Sequence, residues 1–209
     1  MDIAVPAAAP RAQHRWWLFW AIAAAVLLVT ALAVTTQPPG VAAIRLAIRV
    51  TARTSLLLFC TAFAASALAG WWRGRATRAL LAYRRQIGLG FAFSHAVHLV
   101  AVIAFARVAP AQFGAATNVL TYLGGGLAYL LIAAMAATSF DRSARWLGAR
   151  RWRILHGVGG YYVWIIFANS YGARALHDPF YRPMLALLVA AMGVKLAWVV
   201  RQRVVAARG

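Results

Sequence analysis

The sequence has almost no acidic residues. Three aspartates, Asp2, Asp141 and Asp178, stand against 22 lysines and arginines in 209 residues, and glutamate is absent. General acid–base hydrolysis and a Ser–His–Asp triad both need a carboxylate held beside a second catalytic group. Three aspartates this far apart in the chain offer neither arrangement, so hydrolytic enzymes are excluded from the candidate functions.

Cysteine and nucleotide-binding motifs are also scarce. The single cysteine, Cys60, lies inside an apolar run, which rules out an internal disulfide and any cysteine-ligated metal or iron–sulfur site. The chain has no P-loop and no Gly-x-Gly-x-x-Gly sequence that opens a strand–helix unit. We therefore expect no dinucleotide-binding domain.

Apolar residues make up 64% of the chain. Six apolar segments each have about the length that an α-helix needs to cross a bilayer. They cover residues 16–36, 54–72, 86–107, 117–138, 154–171 and 183–200. Because backbone groups in lipid must be satisfied internally, helices rather than strands are expected. The sequence predicts an all-α polytopic membrane protein, with a six-helix transmembrane bundle over 16–200, a disordered N-terminus at 1–15 and a tail at 201–209.

The net charge of +19 is distributed as in a membrane protein, and we do not expect nucleic-acid binding. The arginines cluster between the apolar segments, where loops contact anionic lipid headgroups. With the N-terminus inside, fifteen arginines lie on the inner side and six on the outer side. The positive-inside rule predicts a cell membrane protein, in a bacterial inner membrane, with both termini cytoplasmic. A cleaved secretory signal at the N-terminus stays open as an alternative, although the first apolar run is long for one.

A basic stripe precedes the second apolar segment. Arg45, Arg49 and Arg53 recur every four residues and alternate with apolar side chains. This spacing puts the three arginines along one side of a helix. It predicts a short amphipathic helix over 41–53 on the outer surface. The stripe could contact headgroups, or it could bind an anion such as a haem propionate.

Three histidines fall within apolar segments. His95 and His98 lie on the third segment, and His156 lies at the start of the fifth. An ionisable side chain in hydrocarbon is costly and marks a functional site by default, and imidazole is a common axial ligand of haem iron. His98 is thirteen residues beyond Arg85 and so lies about 20 Å across the membrane. His156 follows Arg153 by three residues, so we expect these two histidines in different layers.

The histidines stand in two motifs. The first runs from Arg84-Arg85-Gln86-Ile87-Gly88-Leu89 to Val97-His98-Leu99, and the second from Leu147-Gly148 to Leu155-His156. Together they resemble the ferric-reductase-like transmembrane domains, which include the six-transmembrane metalloreductases and the haem subunit of the periplasmic methionine sulfoxide reductase system. The resemblance covers roughly residues 41–200.

The resemblance implies that a b-type haem lies between the third and fifth helices and moves electrons across the membrane to an outer, periplasmic acceptor. His98 falls on the third-helix ligand position and His156 on the inner-layer position of the fifth helix. The outer-layer partner in the family is a histidine, and here that position is Asn169. Asparagine is a poor iron ligand, so the second axial ligand stays open.

Three arrangements remain. A five-coordinate haem could sit on His98 with Asn169 lining its open face, or His95 and His98 could bring the haem closer to His156. Alternatively, His95, His98 and Asn169 form a polar cluster between helices without haem. The first two correspond to an electron-transfer protein with haem b, and the third to a haem-free or haem-sensing membrane module. A transporter fits less well, because Lys195 is the only other clear intramembrane cation.

Overall fold

A computed structural model describes residues 16–207, and every regular element in that range is helical. Six long helices are joined by two short ones and by a 3-10 turn at Pro179–Tyr181. In chain order the helices are α1 Trp16–Thr35, α2 Val41–Trp71, α3 Arg75–Val108, α4 Pro110–Ala116, α5 Val119–Ala137, α6 Asp141–Leu147, α7 Ala149–His177 and α8 Arg182–Ala206. The all-α polytopic membrane fold is confirmed, while the predicted disordered N-terminus lies outside the described residues.

The composition of the described helices supports fewer membrane crossings than the six predicted. Four of the described helices, α1, α2, α3 and α8, are long and apolar enough to span a membrane, and a fifth span results if α4 and α5 are one broken crossing. Helix α7 has 29 residues but begins with three arginines in its first five positions and contains polar side chains throughout. Composition therefore supports four or five spans and does not establish the predicted six.

Two long helices begin earlier than predicted. The separate surface helix expected over 41–53 is wrong, because this segment is the first part of the unbroken helix α2. Ala47 and Thr51 in this part are buried, whereas Ala42, Arg45 and Arg49 are exposed. Helix α3 begins at Arg75 rather than at 86. Arginine and alanine are good helix formers, so a helix continues past the point where its apolar pattern ends.

The core lies where α2, α3, α7 and α8 meet. Its members include the apolar and aromatic side chains Leu56, Phe59, Phe63, Phe91, Val163, Phe167 and Leu188. Phe59 contacts both Phe91 and Phe167, with ring centroids 5.4 and 5.5 Å away. One aromatic cluster therefore fixes α2, α3 and α7 against each other, and α3 and α7 carry the three intramembrane histidines.

Gly90 allows α1 to pack closely on α3. A Cβ at this position would lie 2.7 Å from Cγ2 of Ile22, and the β-branched Ile22 side chain has little rotamer freedom in a helix. We expect Gly90→Val to lower the free energy of unfolding by about 1–3 kcal/mol through overpacking. The thermal unfolding midpoint in detergent measures this effect. Gly193→Val on α8 is the control, since no atom lies within 4 Å of its added Cβ; equal losses in both variants would contradict the prediction.

Candidate functional site

His98 of α3 is held by the N-terminal half of α2. Its Nδ1 atom lies 3.1 Å from the Ile48 carbonyl oxygen and 3.1 Å from Oγ1 of Thr51. A carbonyl oxygen only accepts hydrogen bonds, so Nδ1 carries the proton and donates it. The Thr51 hydroxyl donates to the Ala47 carbonyl oxygen at 2.7 Å, which leaves its oxygen as a second acceptor for Nδ1. The lone pair of His98 is therefore on Nε2.

His95 lies one helical turn before His98 and packs against it. The two imidazole centroids are 5.2 Å apart and the rings are nearly parallel. Tyr129 of α5 and Phe167 of α7 lie against the His95 ring at 4.9 and 5.8 Å. The Nδ1 atom of His95 is buried and has no hydrogen-bond partner. Buried polar groups are nearly always paired in native proteins, so this nitrogen requires an explanation.

Hydroxyl groups extend the contact between α2 and α3 below His98. Ser94 Oγ lies 2.9 Å from Oγ1 of Thr54 and accepts a hydrogen bond from the Ser55 hydroxyl at 2.9 Å. Thr51, Ser55 and Ser94 have no exposed surface. This network was missed in the sequence, although hydroxyl side chains at positions 51, 54 and 55 repeat at helical spacing and could have indicated it. These hydrogen bonds hold α3 against α2. They therefore fix the position of His98 along α2 and the direction in which its side chain leaves α3.

His156 is held by a different set of residues. Its Nε2 atom lies 3.1 Å from Oγ1 of Thr138, and its ring stacks on Trp152 with centroids 4.1 Å apart. Trp152 in turn donates from Nε1 to the Thr138 carbonyl oxygen at 2.9 Å. The chain turns into α7 at Gly148, whose φ of +80° favours glycine, and this turn brings Trp152 and His156 against the end of α5.

A cavity of about 420 Å³ opens beside His156. Its walls are largely aromatic and aliphatic, and its polar lining includes His156, Arg84, Lys195 and the Arg85–Asp141 pair. Arg84 donates from Nε to the Ala62 carbonyl oxygen at 2.9 Å, and Lys195 Nζ lies 3.9 Å from the Phe63 ring centroid. Among the described residues the only ion pair is Arg85 with Asp141, at 2.8 Å. The cavity therefore presents two cations without a carboxylate partner.

The histidines occupy two layers, as expected from their positions in the helices. His98 contacts Ile48 and Thr51 near the beginning of α2, whereas His156 lines the cavity with Arg84 and Asp141 at the opposite end of the bundle. Phe91 lies between the layers, since it lines the cavity and its ring centroid is 5.5 Å from that of His95. The structure brings His95 and His98 together and leaves His156 apart.

Asn169 is exposed and does not join the histidines. Asn169 follows the buried Phe167 by two residues. Around the axis of α7 its side chain is therefore rotated by about 200° from that of Phe167. Its separation of thirteen residues from His156 corresponds to a rotation of about 140° in a regular α-helix, so the two side chains leave α7 on different sides. The expectation that Asn169 lines the open face of a haem on His98 is therefore not supported by its position.

His98 has the arrangement expected of an axial ligand. A metal-binding histidine usually donates its second ring N–H to a carbonyl or carboxylate, which fixes the tautomer and the ring orientation. His98 does this through Nδ1 and Ile48, with Nε2 left to coordinate. No group of three or more metal-ligating side chains converges among the described residues. A haem does not need one, because the porphyrin supplies the equatorial nitrogens and the protein only one or two axial ligands.

Comparison with known proteins identifies the family to which the chain belongs. No curated protein and no solved structure matches the chain. The family described as the ferric reductase like transmembrane component matches residues 49–168. This range contains His95, His98, the whole of α5 and His156, and it covers more than half of the chain. The chain is therefore a member of the ferric-reductase-like transmembrane family.

Proposed function

We propose that this multi-pass membrane protein binds haem b and transfers electrons through the bilayer. The observation that carries the proposal is His98, an intramembrane imidazole whose Nδ1–H is donated to Ile48 and whose Nε2 is free to coordinate. When bound, the haem would supply one-electron exchange at iron. Ile48 and Thr51 orient the His98 ring, and Phe91 and Phe167, which lie against the neighbouring His95 ring, keep water out of this layer.

His156 is proposed as the ligand of the inner layer. Thr138 and Trp152 hold its ring at the edge of the cavity, where Arg84 and Lys195 offer positive charge to an anionic group of a bound cofactor. His95 is proposed to contact the haem on His98 through its stacked ring. Asn169 is left out of the proposed ligand set because it is exposed.

The proposed direction of electron transfer follows from the orientation predicted by the arginine distribution. The inner cavity would receive electrons from a separate flavoprotein or from membrane quinol, and an acceptor on the outer, periplasmic side would take them.

An assay with an electron acceptor trapped inside liposomes tests this function. In liposomes that hold ferricyanide inside, haem-loaded protein is expected to speed the bleaching of ferricyanide when dithionite is added outside. A rate equal to that of empty liposomes would contradict electron transfer across the membrane.

The second candidate function is a structural role in the membrane without bound haem. It is favoured by the hydroxyl network, because His98 already has partners in Thr51 and Ile48 and needs no further group to satisfy Nδ1. It does not account for the unpaired Nδ1 of His95. Fold resemblance alone does not establish function, so the absence of haem from protein expressed with added haem would favour this candidate.

The orientation in the membrane is testable with two exposed positions. Trp146 on α6 is 84% exposed and Leu176 near the end of α7 is 80% exposed. In a Cys60→Ala background, an impermeant maleimide is expected to label Leu176→Cys in intact spheroplasts and Trp146→Cys only after lysis. The background change removes the one native thiol, which is buried. The reverse labelling pattern would contradict cytoplasmic termini.

A further inference from the structure

An ion pair lies at the mouth of the cavity beside His156. Arg85 of α3 and Asp141 at the start of α6 both line this cavity. Nη1 and Nη2 of Arg85 each donate to Oδ1 of Asp141 at 2.8 Å. The side chain of Asp141 is 71% exposed and that of Arg85 is 32% exposed. The pair therefore stands where the cavity meets the surface of the protein.

Helix α6 forms one wall of the cavity at this mouth. Ala144, about one turn beyond Asp141, also lines the cavity. The Ser143 hydroxyl donates to the Phe140 carbonyl oxygen at 3.0 Å and so bonds within its own segment. The ion pair instead crosses from α6 to α3. Asp141 is therefore the residue through which α6 is held against the opposite wall.

Turns separate α6 from the long helices on both sides. Before it, α5 ends at Ala137, and Phe140 stacks on Trp16 of α1 with ring centroids 5.9 Å apart. After it, Gly148 has a φ of +80°, and no atom beyond its chain neighbours lies within 4 Å of a Cβ added there. A helix of seven residues is too short to be stable without tertiary contacts. The position of α6 therefore depends on contacts such as the ion pair.

The exposure of the pair makes it a contact that can break. Water reaches both side chains, and an ion pair in contact with water is weak and is weakened further by salt. Such a pair can hold α6 in place for most of the time and still open. The aromatic contacts deeper in the cavity wall, such as that of Phe59 with Phe91, do not depend on salt in this way.

We infer that the Arg85–Asp141 pair is a gate that controls entry into the cavity beside His156. While the pair is formed, α6 is held against α3 and the mouth is narrow. When the pair breaks, α6 moves away from α3 and the mouth widens. The gate requires no haem in the cavity, so it stands or fails separately from the proposed function.

The gate is tested by the rate at which a thiol inside the cavity reacts. Gly88 lines the cavity one turn beyond Arg85 in α3, and no atom lies within 4 Å of a Cβ added there. Gly88→Cys in a Cys60→Ala background therefore introduces one thiol without a clash. The full-length protein in nanodiscs of neutral lipid is treated with a water-soluble maleimide. We expect Asp141→Asn to speed this labelling about two- to fivefold, as the loss of a partly exposed ion pair would give.

Arg85→Gln should speed the labelling of Gly88→Cys by the same factor. Combining it with Asp141→Asn should add nothing, because both changes remove one interaction. Arg142→Gln is the matched control, since it removes an exposed cation next to Asp141 and should leave the rate unchanged. Sodium chloride at 1 M should speed labelling only while the pair is intact, because it screens charges beyond about 3 Å. The 84% exposed Trp146→Cys reports the reagent itself and should react equally in all backgrounds.

Equal labelling of Gly88→Cys with and without Asp141→Asn would overturn the gate. Labelling as fast as that of Trp146→Cys while the pair is intact would also overturn it, since the mouth would then be open already. If the effects of Arg85→Gln and Asp141→Asn added up in the double variant, the two residues would act separately and the gate would be wrong. None of these outcomes bears on whether His98 binds haem.

Discussion

His98→Ala is expected to bind the haem of the His98 layer at least one hundred times more weakly than the wild type (about 3 kcal/mol or more, the cost of losing an axial bond together with its oriented imidazole). The reason is geometric, because His98 is the one intramembrane histidine with a carbonyl-fixed tautomer and a free Nε2. A haemin titration of the purified apoprotein, followed by its Soret absorption, measures the affinity.

The control for this variant is His177→Ala. His177 is exposed at the end of α7 and belongs to neither histidine layer. It should leave haem affinity unchanged. Wild-type haem content in His98→Ala would show that no haem is held by His98. Both variants should be compared by circular dichroism, because loss of helix in His98→Ala alone would indicate that the α2–α3 hydrogen bonds are required for folding.

His156→Ala is expected to leave the His98-dependent spectrum in place and to remove only the haem of the inner layer. His156 lines the cavity with Arg84, while His98 contacts Ile48 at the other end of the bundle, so the two imidazoles cannot share one iron. The haem-to-protein ratio of the purified variant should fall by about half, with the remaining signal abolished by a second change at His98.

Thr138→Val is the matched variant for His156. It removes the hydroxyl that lies 3.1 Å from Nε2 and keeps the imidazole itself. We expect a shifted inner-layer spectrum at full haem content. If His156→Ala and His98→Ala each removed all haem, one haem would be held by both histidines and the two-layer account would be wrong.

Much of the fold could be predicted from the sequence because the bilayer imposes strong constraints. Long apolar runs in a chain with three acids allow few alternatives to membrane helices. The depth of each histidine followed from the rise per residue along a helix, and the structure places His98 and His156 in separate layers as expected.

The helix ends were predicted less well, because hydrophobicity reports where lipid begins and not where a helix ends. The arginines of 41–53 were separated from the second span for this reason, yet α2 runs through them without a break. Basic helix formers such as Arg75 and Arg78 likewise extend α3 beyond its apolar segment. The number of six spans stays a prediction, since composition supports four or five and α7 is not among the helices apolar enough to qualify.

The orientation of individual side chains lay beyond the sequence. Asn169 was placed beside His98 by resemblance alone, and the rotation of α7 turns it outward. The partners of His98 and His156 come from other helices, so they depend on packing between segments far apart in the chain. Periodicity gives the face of one helix and does not give which neighbour that face meets.

The reduced-minus-oxidised absorption spectrum of the wild-type protein, purified in detergent after expression with added haem, tests the central claim most directly. The account predicts a Soret band in the oxidised protein that shifts and persists after dithionite reduction, because His98 offers a neutral imidazole within the membrane for axial ligation. Well-folded protein without a Soret band would contradict haem binding, and with it the assignment of His98 and His156 as ligands.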